Sequence, residues 1–326
     1  MRNSKISVLL ATYNKAKFLD LTLTGYTKQT YKDFEIVMVD DGSTDNTPQI
    51  VEKYQKELNI RYLPQPKMGI SRARSKTLEN AGGEYVIITD DDRIPCENFI
   101  LEHKKKLDTK EKCVVIGKEC LILSHFSQDT RFAFKDEFKI YNKYPELLDC
   151  DEKTMFTSDD IMNDFDAVIE NYYLSDYTES CLLNMVERYG EGLDGFYLAW
   201  SKAYGGNMSF DMRHLQKLLE YDHNYIGYGI EDIDFSYQLS RQGFNFRFCK
   251  EAMNFHQEHP RGKRENRDMF KNFSYFCSKY QSIDVCLMKM DWDGKVPLEV
   301  ANDFYRVLTE YMAELKSILQ QEFNTE

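Results

Sequence analysis

The stretch VIITDDDRIP, residues 86–95, decides how the first part of the chain is read. Four residues suited to a buried strand run directly into Asp90, Asp91 and Asp92. Three adjacent carboxylates repel one another, and no fold requires them for its own sake. With no lysine beside them they call for a counter-ion. A hard divalent cation, Mn²⁺ or Mg²⁺, suits carboxylate oxygens and keeps coordination positions open for phosphate. The D-x-D spacing turns Asp90 and Asp92 to one side of an extended segment and Asp91 to the other, so Asp91 is expected to matter least. A solvated acidic turn would give the same residues.

Around this stretch, apolar runs rich in β-formers alternate with helical patterns. ISVLLA (6–11), FEIVMVDD (34–41), IRYLPQ (60–65), YVIITDD (85–91) and CVVIGKECLIL (113–123) read as strands. Helices are expected from about Lys17 to Thr27, over TDNTPQIVEKYQKEL with Pro48 as first helical residue, and over GISRARSKTLENAGG. The alternation predicts an α/β fold with a mostly parallel central sheet flanked by helices. In such sheets ligands bind beyond the carboxyl ends of strands, where Asp40, Asp41 and Asp90–Asp92 fall.

The bulk numbers bound the function. The chain has 326 residues, 42% of them hydrophobic, which is enough to bury a large core. Its 42 basic against 54 acidic residues give net charge −12, a poor balance for general nucleic-acid binding. Eight cysteines without a CxxC pair point away from a zinc ribbon and toward reduced thiols in a cytosolic protein. The opening MRNSKISVLLATYN is too short in apolar run for a signal peptide, and no run of 18 apolar residues occurs, so a soluble intracellular protein is expected.

Four segments are expected. Residues 1–125 form a ligand-binding half. Residues 126–200, acidic and rich in Tyr and Phe, form a helical insertion packed on the sheet. Residues 201–262 hold AYGGNMSFD as a glycine turn into a strand, EDIDFSYQLSRQG as a helix ending at Gly243, and FNFRFC as a strand. Residues 263–326 end in one helix from about Pro297. There Ala301, Phe304, Leu308, Tyr311, Leu315 and Ile318 form a stripe expected to pack on the parent domain, with a self-association seam as the alternative.

Several clusters could carry chemistry, each with a structural alternative. In VDDGSTDNT (39–47), Asp41 beside Gly42 could accept from a base N–H or serve a turn and helix cap. In KMGISRARSK (67–76), Gly69 permits close backbone approach, and Arg72 and Arg74 lie near a helix start, where anions are favoured. In GYGIEDIDF (227–235), Glu231 and Asp232 could present a general base at a helix start or complement the helix dipole. In NFHQEHPRGKREN (254–266), His256 or His259 could complete a metal site begun by Asp92.

Together, ISVLLATYNKAKFLDLTL, IVMVDDGSTDNTPQIV and GISRARSKTLENAGGEYVIITDDD resemble the nucleotide-sugar-binding half of the family 2 glycosyltransferases. GGNMSF, GYGIEDIDFSYQLSRQG and FHQEHP resemble the C-terminal part shared by β-1,4-galactosyltransferases and bacterial chondroitin-type polymerases. The resemblance covers roughly 5–125 and 200–262. It implies a GT-A fold, Rossmann-like, with a helical acceptor insertion and a C-terminal helix. It implies a hexosyltransferase moving a hexose or N-acetylhexosamine from a UDP-sugar to a carbohydrate, glycolipid or peptide acceptor, with Mn²⁺ or Mg²⁺. The acceptor implied is a bacterial surface glycan or glycolipid precursor, handled in the cytoplasm or at the inner membrane face.

By the same resemblance, Thr12 and Tyr13 line the nucleotide pocket, and Asp41 binds the uracil. Gly69 and Arg74 lie near the diphosphate. Asp90 meets the ribose or the metal, with Asp91 beside it. Asp92 and His256 hold the metal, His259 being the second choice. Gly206 and Asn207 face the donor sugar, Tyr228 stacks on a sugar, Glu231 bonds a sugar hydroxyl, and Asp232 is the base of an inverting displacement. Tyr228 stands where tryptophan is usual, and Ile230 where glycine is common, so a different local backbone is expected there. The rival readings are a sugar-nucleotide-binding module with weak catalysis and another metal-dependent nucleotidyl- or phosphoryl-transfer enzyme. The latter lacks its Asp after the first strand or its basic Gly-rich loop.

Overall fold

A computed structural model describes residues 5–109, 111–130, 132, 134–178, 180–260 and 265–323. Its strands are β1 (Ile6–Thr12), β2 (Phe34–Asp40), β3 (Ile60–Pro64), β4 (Tyr85–Thr89), β5 (Arg93–Pro95), β6 (Cys113–Ile122), β7 (His125–Ser127), β8 (Glu152–Thr154), β9 (Tyr173–Asp176), β10 (Asn207–Asp211) and β11 (Asn245–Gln257). Its helices are α1 (Ala16–Thr27), α2 (Thr47–Tyr54), α3 (Ile70–Glu79), α4 (Phe99–Leu107), α5 (Phe134–Lys143), α6 (Ser158–Asn163), α7 (Phe165–Tyr172), α8 (Ser180–Tyr189), α9 (Glu231–Arg241), α10 (Glu265–Lys279), α11 (Ile283–Trp292) and α12 (Leu298–Phe323).

The apolar runs read as continuous because both faces of these strands are covered. Alternate side chains feed two cores. Val8 and Leu10 pack with Leu19, Leu23, Ile36 and Ile87, whereas Leu9 packs with Val37, Val86, Ile88 and Trp200 on the other face. The nine-stranded sheet runs β3-β2-β1-β4-β10-β6-β11-β5, with β9 added on β6. β1 to β4 are mutually parallel. β5, β9 and β10 oppose the common direction of the rest. β1 lies between β2 and β4, so the chain crosses to opposite sides of it and leaves a crevice at the carboxyl ends.

Two elements differ from expectation. The strand expected over FNFRFC extends to Gln257, because β11 resumes its pairing with β6 after a bulge between Cys249 and Met253. The charged residues Lys250 and Glu251 in that bulge look like a strand end in sequence. Just past the aspartates, the short β5 pairs with β11 and sets Arg93 opposite His256.

Segment 126–200 contributes to both the sheet and the cores. β9 pairs with β6, and Leu182, Leu198 and Trp200 share a core with Val114 and Phe210. The α12 stripe does not pack on the parent domain as expected. Ala301 is buried, but Phe304 is 58% and Tyr311 59% exposed, and Leu315 is exposed too. Only the first turns of α12 reach the core. There Asn302 accepts from Leu198 N at 3.2 Å and donates to Gly195 O at 2.9 Å. The side chain of Ile318 lies outside the described residues. No helix of the described residues is long and apolar enough to cross a membrane. The described cysteines are all free thiols.

Candidate active site

The crevice beyond β1 and β2 opens into a cavity of about 480 Å³. Thr12, Tyr13, Asp41, Gly69 and Asp91 line it, and His223, Tyr225, Ile226 and Gly227 close the far wall. Asp41 is buried and already engaged. Its Oδ1 accepts from Met68 N at 2.7 Å and Gln65 Nε2 at 2.8 Å, and its Oδ2 from Gly69 N at 2.8 Å. The carboxylate thereby folds the 65–69 loop around the pocket. Gly69 takes φ 95°, and a side chain there would meet no neighbour, so backbone faces open space. The Lys67 ammonium lies 3.6 Å from the Tyr13 ring centroid. Thr12 Oγ1 is buried without a hydrogen-bond partner.

The three aspartates part company, and their cations come from the chain itself. Asp90 takes Arg74 at 2.8 Å and Arg93 at 3.1 Å. Arg74 also reaches Glu231 at 2.6 Å, and Arg93 reaches Glu119 at 3.2 Å. A largely buried ladder of alternating charge, most open at Asp90, therefore joins Glu231, Arg74, Asp90, Arg93 and Glu119. Arg74 acts as a strut in it and is not among the residues lining the cavity. Asp91 does not point away from the site as the strand alternation predicts. Its residue is buried and lines the cavity, because the strand ends at Thr89 and the next residues turn. Burial, then the neighbouring Asp92 charge, pushes its carboxyl up to about 7.

Asp92 sits in a group of residues that could hold a metal ion. Burial opposes its ionisation, but Lys15, His256 and His259 hold its pKa well below the usual carboxylate range. Asp92, His256 and His259 each offer a ligand atom, all within 4.8 Å of one another. Asp92 Oδ2 is 3.0 Å from His259 Nε2, and Asp92 Oδ1 is 3.6 Å from His256 Nε2. His259 Nδ1 lies 3.0 Å from Pro260 O, so the neutral ring that donates there presents its Nε2 lone pair. Asp92 Oδ1 and His256 Nδ1 are buried polar atoms without hydrogen-bond partners. One carboxylate and two imidazoles fit a divalent transition-metal cation. Asp90, expected among the ligands, is not in this group: its oxygens belong to the two arginines. His259, the second choice, stands beside His256.

The start of α9 is shaped by its preceding loop. Gly227 (φ 78°), Gly229 (φ 87°) and Ile230 (φ 78°) all adopt left-handed backbone. Ile230 thus takes the conformation typical of the glycine often found there, a costly one for a β-branched residue. Burial and the adjacent Asp232 push the Glu231 carboxyl up to about 7 against the pull of Arg74. Glu231 Oε2 is buried without a partner. Asp232 Oδ2 accepts from Gly205 N at 3.1 Å. Tyr228 is half exposed at the loop tip.

Gly206 and Asn207, expected to face a donor sugar, are both buried, and the Asn207 side chain is engaged within the chain. A Cβ on Gly206 would sit 2.4 Å from the Arg93 guanidinium, and one on Gly205 3.2 Å from that of Arg74. The two glycines give the ladder its room. Asn207 is buried, bonds His103 Nε2 at 2.9 Å and donates to Lys118 O and Ala252 O, tying β10 to the β11 bulge.

Sequence reasoning missed Lys15, Arg93, Glu119 and Asn272. Arg93 directly follows the aspartates and was legible as their counter-ion. Lys15 and Glu119 carry no local signal. Asn272, on α10, donates to Ile226 O, Tyr228 O and Gly229 O at 2.9–3.2 Å, and its Oδ1 accepts from Ile226 N.

Comparison with known proteins identifies the family. Residues 7–170 match the model of glycosyl transferase family 2, and residues 193–260 match one described as the N-terminal domain of galactosyltransferase. The chain belongs to glycosyl transferase family 2 and is a glycosyltransferase. The first match runs well past residue 125, into the segment read as an insertion. The chain is 25% identical to the uncharacterized glycosyltransferase YfnE of Bacillus subtilis over 320 residues, 98% of this chain and 79% of that one. It is 28% identical over 306 residues to chondroitin synthase of Escherichia coli, covering 90% of this chain but only 41% of that protein. The structure of S. aureus TarS 1–349 in complex with UDP shares the fold, with TM-score 0.52 and 18% identity over 84% of this chain and 65% of that one.

Proposed function

We propose that this protein is a metal-dependent, inverting transferase that moves a hexose or N-acetylhexosamine from a UDP-sugar to a glycan or glycolipid hydroxyl. The carrying observation is the Asp92–His256–His259 cluster, which follows the cavity-lining Asp91 in sequence, while Asp90, two residues before Asp92, is tied through Arg74 to Glu231. The TarS structure with UDP and the chondroitin synthase likeness support a uridine donor and a glycan acceptor.

In this reading the crevice formed by Thr12, Tyr13, Asp41 and Gly69 takes the nucleotide. Asp92, His256 and His259 hold the divalent cation, which when bound supplies Lewis-acid stabilisation to the departing diphosphate. Glu231 Oε2 accepts from a sugar hydroxyl. Asp232 takes the proton of the acceptor hydroxyl as that oxygen bonds the anomeric carbon and the bond to the diphosphate breaks. One displacement inverts configuration, and no nucleophilic side chain is needed. Tyr228, half exposed beside this acid pair, stacks on a sugar ring. Work in the cytoplasm, at the inner membrane face for a lipid-linked acceptor, belongs to the same reading.

A panel of UDP-sugars with Mn²⁺ and a mixture of glycan acceptors tests it. UDP release is expected from one or two donors, falling at least about a hundredfold in Asp232→Asn, the general-base range. Full activity in Asp232→Asn would reject that residue as the base. Retained anomeric configuration would reject single displacement.

A further inference from the structure

The Asp92–His256–His259 cluster already holds a cation. The Lys15 ammonium is 2.9 Å from Asp92 Oδ2 and 2.7 Å from His259 Nε2. These are two of the atoms a divalent ion would use. Lys15 stands at the start of α1, with its ammonium 5.0 Å from the Phe18 ring centroid, and it lines the donor cavity together with Thr12, Tyr13 and Asp91. Among the described residues, its side-chain hydrogen bonds go to Asp92 and His259.

We propose that Lys15 is the resident counter-ion of the metal site and that it changes partner during donor binding, leaving Asp92 and His259 for the diphosphate of the nucleotide. This rests on the metal reading above. An ammonium and a divalent ion cannot share the same lone pairs on Asp92 Oδ2 and His259 Nε2, so one must leave for the other to enter. Lys15 carries a flexible stem and already faces the cavity, so the displaced ammonium needs a new anion there. A nucleoside diphosphate supplies that anion. Lys15 then discourages metal without nucleotide and rewards the two together, a positive coupling that is reciprocal by linkage. The arrangement also answers the electrostatic problem of the aspartates before any ligand arrives: Lys15 neutralises Asp92 while the two arginines neutralise Asp90.

The test is Mn²⁺ binding, read as loss of the free-ion electron paramagnetic resonance signal, with and without UDP. The proteins are wild type, Lys15→Met and Lys15→Arg. Without UDP, Lys15→Met is expected to bind Mn²⁺ about tenfold or more tightly than wild type, while Lys15→Arg, which keeps the charge, stays as weak. At saturating Mn²⁺, Lys15→Met is expected to bind UDP about threefold or more weakly. A purely structural lysine would leave Mn²⁺ affinity unchanged or lower it on removal. Lys15→Gln gives the same reading if the methionine variant loses the wild-type unfolding curve. Equal Mn²⁺ affinity in wild type and the neutral variants overturns the proposal alone. Failure of every protein to bind Mn²⁺, even with UDP, overturns the metal reading and this proposal with it.

Discussion

His103 shows how one side chain can tie distant segments together. It is fully buried between α4 and β10, with Nδ1 2.8 Å from Ser209 Oγ and Nε2 2.9 Å from Asn207 Oδ1. Burial pushes its pKa down to about 4 from an ordinary 6.5. A base whose folded pKa is depressed favours the folded state fully above 6.5, and that contribution is lost as pH falls toward 4. At about 1.36 kcal/mol per unit, the loss reaches roughly 3 kcal/mol. Denaturant unfolding of wild type is expected to weaken over this window, and His103→Gln to weaken less. Parallel pH profiles would show that the histidine is not the titrating group. At the same scale, the sequence showed the aspartate triplet but not the division of labour within it. Asp90 and Asp92 are two residues apart, yet one belongs to an arginine ladder and the other to a lysine and two histidines. Arg93 aside, that division depends on partners 16 to 167 positions away, which no local pattern encodes.

At the scale of elements, α10 holds the loop before α9 in its unusual shape. Asn272 anchors three loop carbonyls, and Asp268 and Met269 pack where side chains on Gly227 and Gly229 would collide or crowd. The helix lies beyond both family matches, so its role was not legible from motifs. Asn272→Ala removes the donor from three carbonyl groups and should cost about 2 kcal/mol of stability. Hydrogen exchange over residues 226–232 should accelerate beyond what the global loss accounts for. Unchanged exchange there would mean that the left-handed run around Ile230 is held by its own packing. The strands were easier to read. β1, β2 and β4 are apolar on both faces and announce themselves, whereas β5 is three residues long and forms only because β11 lies beside it.

At the scale of the molecule, nucleotide binding should show as stability. With UDP at about a hundred times its dissociation constant, in the presence of Mn²⁺, about 2.7 kcal/mol is added. For a chain of this length at about 2.1 cal/mol/K per residue, that is a rise in Tm of roughly 4 °C. A comparable rise with GDP and none with UDP would reject the uridine donor. The sequence by itself determined the α/β layering, the parallel β1–β4 half and the placement of acids at strand ends, because strand periodicity and turn chemistry are local. It also held the motifs that place the chain in its family. Only the tertiary structure decided that β11 runs on past its bulge, that Gly205 and Gly206 make room for two guanidinium groups, and that Lys15 sits on Asp92 and His259. Each of these depends on which segments lie side by side after folding, and charges so buried choose partners by proximity in space.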